Sequence, residues 1–144
     1  MTPTTDYDAD FYQWTQQQAA LLRQGQFSQL DTAHLIDEIE DMGNSNRFAL
    51  ESYLANVIMH LLKWQYQPER RCTSWELTIV NGRHQIEKRL KSSPSLKPKL
   101  PEIIESEYSL ARRNASGQTT LPLSIFPESC PFTVEEITGD YWPE

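Results

Sequence analysis

The stretch from Leu30 to Pro68 constrains the fold most, because it holds the longest helix-like pattern in this 144-residue chain. Asp31 is suited to cap a helix at the start of the stretch, and Pro68 cannot continue one. Residues 32–66 are therefore predicted to form a helix about 50 Å long. Apolar residues recur within it at spacings of three and four, which is typical of a helix that buries one face: Leu35, Ile39, Met42, Leu50, Leu54, Val57, Leu61 and Trp64.

One gap interrupts this pattern, at residues 43–46, where the sequence reads Gly-Asn-Ser-Asn. Ser45 could cap a second helix there, so a broken helix is the alternative. The apolar stripe keeps its phase across the gap, which favours one continuous helix. Because such a helix is long for a small domain, its ends are expected to project or to contact a partner.

Shorter helices are predicted on both sides of this stretch. Asp6 or Asp8 is suited to cap a first helix that runs to about Gln24, with Gly25 as the residue that stops it. Two further apolar stripes of helical period predict helices over residues 73–92 and about 101–115. These helices give the long one partners against which to bury its apolar face.

Residues 118–144 lack a helical period and contain several prolines, so they are predicted to form an extended C-terminal arm. Within the arm, Thr133 and Glu136 fit a capping box for a short final helix. The same spacing of Thr73 and Glu76 predicts a capping box at the start of the third helix.

Together these segments predict an all-α protein, a small helical bundle of about four main helices with one long central helix and an irregular C-terminal arm. Residues 1–144 are expected to form a single domain, with a flexible tail at residues 1–5.

The composition of the chain indicates where in the cell the protein is located. No run of about 18 apolar residues is present, so no membrane partner is expected. The start of the chain is acidic and polar and lacks the features of a secretory signal. Cys72 and Cys130 lie far apart and are not typical of a disulfide scaffold. A cytoplasmic location is therefore predicted.

The net charge of −7 is distributed unevenly along the chain. Residues 1–62 hold nine acidic and two basic residues, residues 63–99 hold nine basic and three acidic ones, and residues 100–144 hold eight acidic and two basic ones. This layout can mark a surface for a partner. Alternatively, the basic segment packs between the two acidic ones within the same domain.

Several sequence blocks resemble a known family. WTQQQ, EIEDMG and HLLKWQYQP are the most specific of them, and FPESCPFT follows near the end of the chain. They resemble the bacterial family named domain of unknown function 29, which is abundant in cyanobacteria, and the resemblance covers nearly the whole chain. It implies a small helical protein and carries over no functional residue. Asp37 stands where the family commonly has Glu, and Gly82 where it commonly has Gln.

Four acidic residues in the long helix form the best candidate for a metal site: Asp37, Glu38, Glu40 and Asp41. Carboxylates at helical spacings of three and four can bind Mg²⁺ or Mn²⁺, which prefer oxygen ligands. Such a site would suit a hydrolase of a nucleotide or another phosphorylated small molecule. The alternative is a solvated helix face, because none of the four lies on the centre of the apolar stripe.

His60 is a second candidate polar residue, and its position on the flank of the stripe is more typical of a packed, hydrogen-bonded side chain than of a base or ligand. Basic and aromatic residues alternate just after it and could bind nucleic acid through phosphate contacts and stacking. Against this, the isoelectric point near 5.0 is not typical of nucleic-acid-binding proteins, and Arg70 and Arg71 could pair with acidic residues instead. The candidates for this surface are Lys63, Trp64, Tyr66, Arg70, Arg71 and Arg83.

The sequence contains no phosphate-binding loop, dinucleotide fingerprint or metal-type cysteine spacing. It therefore favours a protein-interaction or assembly module over an enzyme, with a protein partner or a second copy of the chain. The metal-dependent hydrolase and the nucleic-acid-binding protein are the alternatives. No cofactor is predicted, apart from Mg²⁺ or Mn²⁺ under the first alternative.

Overall fold

The computed structural model describes residues 6–144, so the predicted tail at residues 1–5 lies outside the described residues. No strand occurs in the described part. Its helices confirm the predicted all-α class, with four main helices, a long central one and a short last one. They are α1 (Phe11–Arg23), α2 (Thr32–Tyr66), α3 (Thr73–Ser92), α4 (Leu100–Thr119) and α5 (Val134–Thr138).

Helix α2 passes through residues 43–46 without a break, which confirms the prediction of one continuous helix. Contacts within the chain divide it into two compact units, and their boundary falls between Asn44 and Ser45. The single-domain assignment stays a prediction. The described part of the first unit, residues 6–44, is called the hairpin below, and residues 45–144 are called the bundle.

The hairpin consists of α1, a 3₁₀ turn at Phe27–Gln29 and the first part of α2. Asp10, not Asp6 or Asp8, caps α1, and its Oδ1 accepts the backbone N–H of Gln13 at 3.0 Å. Asp10 takes this role because it directly precedes Phe11, the first helical residue, and has a non-helical backbone. Gly25, at φ +71°, turns the chain back toward α2.

The bundle buries its apolar residues between α2, α3, α4 and the C-terminal arm. Helices α2 and α3 approach each other closely at Gly82, where an added Cβ would lie 2.5 Å from Val57 Cγ2. The core includes Leu50, Leu54, Val57, Ile58, Leu61, Leu62, Ile79, Ile86, Leu100, Ile103, Tyr108, Phe126 and Ile137.

The arm packs onto this core. Helix α4 continues to Thr119, beyond the predicted end near residue 115, and Thr120 ends it with a left-handed φ of 63°. Thr133 and Glu136 form the predicted capping box of α5. The box predicted for α3 is wrong, because Thr73 is already helical and Cys72 occupies the cap position without a side-chain bond.

Candidate interaction surface

A polar and aromatic cluster holds the two helices of the hairpin together. Asp31 Oδ2 accepts Trp14 Nε1–H at 3.0 Å and His34 Nδ1–H at 2.7 Å. The backbone N–H of Asp31 donates to Gln18 Oε1 at 2.8 Å. The Tyr7 ring stacks on His34, with ring centroids 4.0 Å apart. The side chain of one residue, Asp31, thus joins α1 to the first turn of α2.

These contacts change the acidity of the groups that make them. The hydrogen bond to Asp31 raises the pKa of His34, and the same bond lowers the pKa of Asp31. Tyr7 donates its hydroxyl to Glu38, and this bond raises the pKa of Tyr7 to about 12. The cluster is therefore sensitive to pH through His34, whose pKa lies above its ordinary 6.5.

The four acidic candidates lie on the part of α2 within the hairpin. Glu38 is half-buried beside Tyr7, whereas Asp37, Glu40 and Asp41 are exposed. Among residues 6–144, no group of three or more His, Cys, Asp or Glu side chains is arranged to hold a metal ion. The geometry of the cluster therefore gives the metal hypothesis no support.

The hairpin is apolar on one side and polar on the other. Trp14 contacts His34 and Gln18 contacts Asp31, so the helices run antiparallel. Successive residues of an α-helix are rotated by about 100° around its axis. On each helix, the apolar residues that come next around the axis after those facing the other helix therefore lie on the same side of the antiparallel pair. They are Phe11 and Leu22 on α1, and Ile39 and Ile36 on α2. The other side carries Gln13, Gln17, Asp37 and Asp41.

The apolar side of the hairpin is largely open to solvent. Ile36 is 50% exposed, Ile39 60% and Phe11 48%. Of the fourteen exposed large apolar side chains in the described residues, seven belong to the hairpin, which holds little more than a quarter of these residues. They are Phe11, Tyr12, Leu22, Phe27, Ile36, Ile39 and Met42.

In the bundle, the most buried of the basic candidates holds the C-terminal arm. Arg83 donates to the carbonyls of Ile137 at 2.9 Å, Glu136 at 2.8 Å and Tyr141 at 2.6 Å. It also lies over the Trp142 ring, 5.5 Å from its centroid. Burial lowers the pKa of Arg83. A guanidinium with these partners is not open to phosphate.

The residues around Lys63 likewise have partners within the bundle. Lys63 Nζ donates to Gln118 Oε1 at 2.7 Å. Arg71 donates to the Trp64 carbonyl at 2.8 Å rather than to a carboxylate, and it lies over the Trp64 ring. Tyr66 packs edge-on against Phe126. Arg70 is the one exposed residue among the six nucleic-acid candidates.

His60 is buried, and its Nδ1–H donates to the Asn56 carbonyl at 2.8 Å, one helical turn earlier. Burial lowers its pKa. Both features describe a packed neutral imidazole.

A cleft of about 470 Å³ lies between α4 and the C-terminal arm. Two of its polar side chains bind backbone: Tyr108 donates to the Pro127 carbonyl at 2.5 Å, and Arg112 donates to the Phe126 carbonyl at 2.9 Å. Burial raises the pKa of Cys130, which favours its thiol over the nucleophilic thiolate. The cleft therefore gives no support to covalent catalysis by Cys130.

The family described as domain of unknown function DUF29 matches residues 7–142. The chain belongs to this family. No curated protein and no solved structure matches the DUF29 chain. The bacterial, mainly cyanobacterial origin expected from the resemblance stays a prediction.

Sequence reasoning identified Asp31 as a cap of the long DUF29 helix, and His34 N–H donates to Asp31 Oδ1 at 3.4 Å. It missed the second role of Asp31, as acceptor for Trp14 and for the His34 ring. The spacing of an acidic cap and a His three residues later was the available signal, because both side chains lie in the first turn. The exposed side of the hairpin was also missed, since a stripe of apolar residues predicts burial.

Proposed function

We propose that this chain is a protein-interaction module whose docking surface is the apolar side of the hairpin. The exposure of Phe11, Ile36 and Ile39 on one side of two antiparallel helices is the observation that carries the proposal. Two helices alone bury little apolar area, and stable helical architectures cover such faces with a further element. Exposed apolar patches with polar surroundings are typical of interaction sites.

The other proposals have weaker support. No specific observation favours a metal-dependent hydrolase, and five of the six nucleic-acid candidates are buried or half-buried. Among the described residues, none of the helices has the length and apolar content needed to cross a membrane. A cytoplasmic location remains a proposal of the sequence.

Site-specific photo-crosslinking in cells of the source organism tests the interaction module. A photoreactive phenylalanine analogue replaces Ile39 on the apolar side or Asp41 on the polar side of the same helix. We expect a discrete crosslinked protein product from position 39 and none from position 41. Adding Ile36→Glu to the probe at position 39 should remove the product, because it puts a charge into the apolar contact.

Val80 provides a matched control, because it is a similarly exposed apolar residue of the bundle, at 48% exposure. A probe there should give no discrete product. Equal products from positions 39 and 80, or none from position 39, would count against the hairpin as the docking surface.

A further inference from the structure

We infer that the segment bound by the hairpin is an amphipathic helix whose apolar face is flanked by Lys or Arg. This inference rests on the proposed function and specifies its partner. The described residues of the hairpin hold eight acidic side chains and one basic one, Arg23. Glu38 faces α1 and accepts the Tyr7 hydroxyl, whereas Glu40 is exposed at the outer edge of the stripe that contains Ile36 and Ile39. The apolar side therefore has a negative rim at its outer edge on α2, formed by Glu40, on a hairpin of negative net charge.

The shape of the surface favours a helix. Phe11 on α1 and Ile39 on α2 border the same side of two antiparallel helices, and a third helix packs its side chains into the groove between two others. Apolar residues of such a helix at spacings of three and four would meet this groove. Lys or Arg on its flank would lie near Glu40 and would favour binding in one orientation over others.

The charge of the rim argues against other occupants. The same side of a second copy would bring a second acidic rim against the first, and like charges across an interface oppose binding. An anionic lipid surface attracts Lys and Arg, which the hairpin lacks apart from Arg23. A basic helix from another protein is the occupant that complements both the apolar groove and its rim.

Two model peptides test this inference on the full chain labelled with ¹⁵N. Both are 18-residue helices with leucines at spacings of three and four. The flanking residues are lysine in one peptide and glutamate in the other. We expect the lysine peptide to bind at least tenfold more tightly at low salt and to shift amide resonances of residues 11–22 and 35–42. Added salt should weaken this binding, because it screens the rim.

Variants on the two sides of α2 locate the effect. Glu40→Lys should reduce the preference for the lysine peptide several-fold. Asp37→Lys makes the same change of charge on the polar side of the hairpin and should leave most of the preference. Ile39→Glu should abolish binding of both peptides. All three positions are exposed, and circular dichroism of each variant checks that the helices are intact.

Three results would overturn the inference of a basic helix as partner. They are equal binding of the two peptides, resonance shifts confined to residues 45–144, and tighter binding of anionic vesicles. So would a dimer, measured by light scattering, that Ile39→Glu dissociates. Absence of binding by either peptide would also overturn it. A crosslinked product from position 39 combined with any of these results would preserve the interaction module and reject only its basic partner.

Discussion

The hairpin and the bundle are stabilised in different ways. The bundle buries a cluster of eighteen apolar residues, whereas Trp14 is the one fully buried apolar side chain in residues 6–44. The hairpin is held instead by the hydrogen bonds of Asp31 and by stacked rings around Tyr7 and His34. Seven of its other large apolar side chains are left exposed. The difference indicates that the bundle completes its own core and the hairpin does not.

The use of charged side chains follows the same division. In the bundle, Arg83 and Arg71 donate to backbone carbonyls near the C-terminus and so fix the arm. In the hairpin, Glu40 and Asp41 are exposed on the helix surface. These two arginines of the bundle are thus structural, whereas exposed Glu40 of the hairpin remains available to a partner.

Truncating a buried side chain in either region should give the largest change in stability, and each change should be confined to its own region. Leu54→Ala removes a fully buried side chain of the bundle and should lower its free energy of unfolding by about 2–5 kcal/mol. Trp14→Ala should cost the hairpin about 3–5 kcal/mol, enough to open it locally. Native-state hydrogen exchange, read residue by residue, distinguishes the two effects.

In Trp14→Ala we expect amides of residues 11–38 to lose protection while amides near Leu54 keep it. In Leu54→Ala the protection of the whole bundle should fall. A uniform loss of protection in both variants would break the comparison, because it would mean that hairpin and bundle unfold as one cooperative unit.

Two glycine substitutions should change stability by smaller amounts and in opposite directions. Gly82→Ala places a Cβ 2.5 Å from Val57 Cγ2, and the cost of such overpacking, about 1–3 kcal/mol, exceeds the gain of about 1 kcal/mol from removing a helical glycine. Gly43 has open space around its Cβ position, so Gly43→Ala should stabilise α2 by about 1 kcal/mol. Urea unfolding measures Gly82→Ala, and hydrogen exchange in α2 measures Gly43→Ala. A stabilised Gly82→Ala protein would show that α3 can move away from Val57.

The sequence was sufficient for features that depend on neighbouring residues. The continuity of α2 could be predicted because its apolar stripe keeps the same helical phase on both sides of Gly43. Apart from the adjacent residues and the backbone of α2 itself, nothing lies within 4 Å of the Cβ position at Gly43. The capping box of α5 follows from Thr133 and Glu136. The identical spacing at Thr73 failed because a capping motif does not fix which residue begins the helix, and α3 begins at Thr73 itself.

Features that depend on distant residues could not be predicted. The partners of Arg83 lie more than fifty positions later in the chain, so a basic segment in the sequence could not be distinguished from a phosphate-binding surface. The exposed side of the hairpin poses the converse problem. Periodicity shows that Ile39 lies on an apolar stripe, but only the packed structure shows whether another element covers it.

A change of pH should act on the two regions in opposite directions through their histidines. His34 of the hairpin has a pKa raised above its ordinary 6.5 by the bond to Asp31, with Asp8 and Asp37 adding to the effect. Its contribution to stability is present below pH 6.5 and is lost as the pH rises through the raised pKa. His60 of the bundle has a pKa lowered below 6.5 by burial, with Lys63 adding to the effect. Its contribution is present above pH 6.5 and is lost as the pH falls through the lowered pKa.

Between pH 8 and pH 5.5, acidification should therefore stabilise the hairpin and destabilise the bundle. NMR titration of the two imidazole rings measures both pKa values directly, and Asp31→Asn should bring the pKa of His34 down while leaving that of His60 unchanged. Asp31 itself stays ionised over this range, because its pKa lies below its ordinary 3.8. If His34 titrated below 6.5 in the unaltered chain, the bond to Asp31 would be too weak to hold the hairpin. The hairpin would then not be stabilised by a charge-assisted hydrogen bond in the way that the bundle is stabilised by its core. It would instead need its partner in order to form.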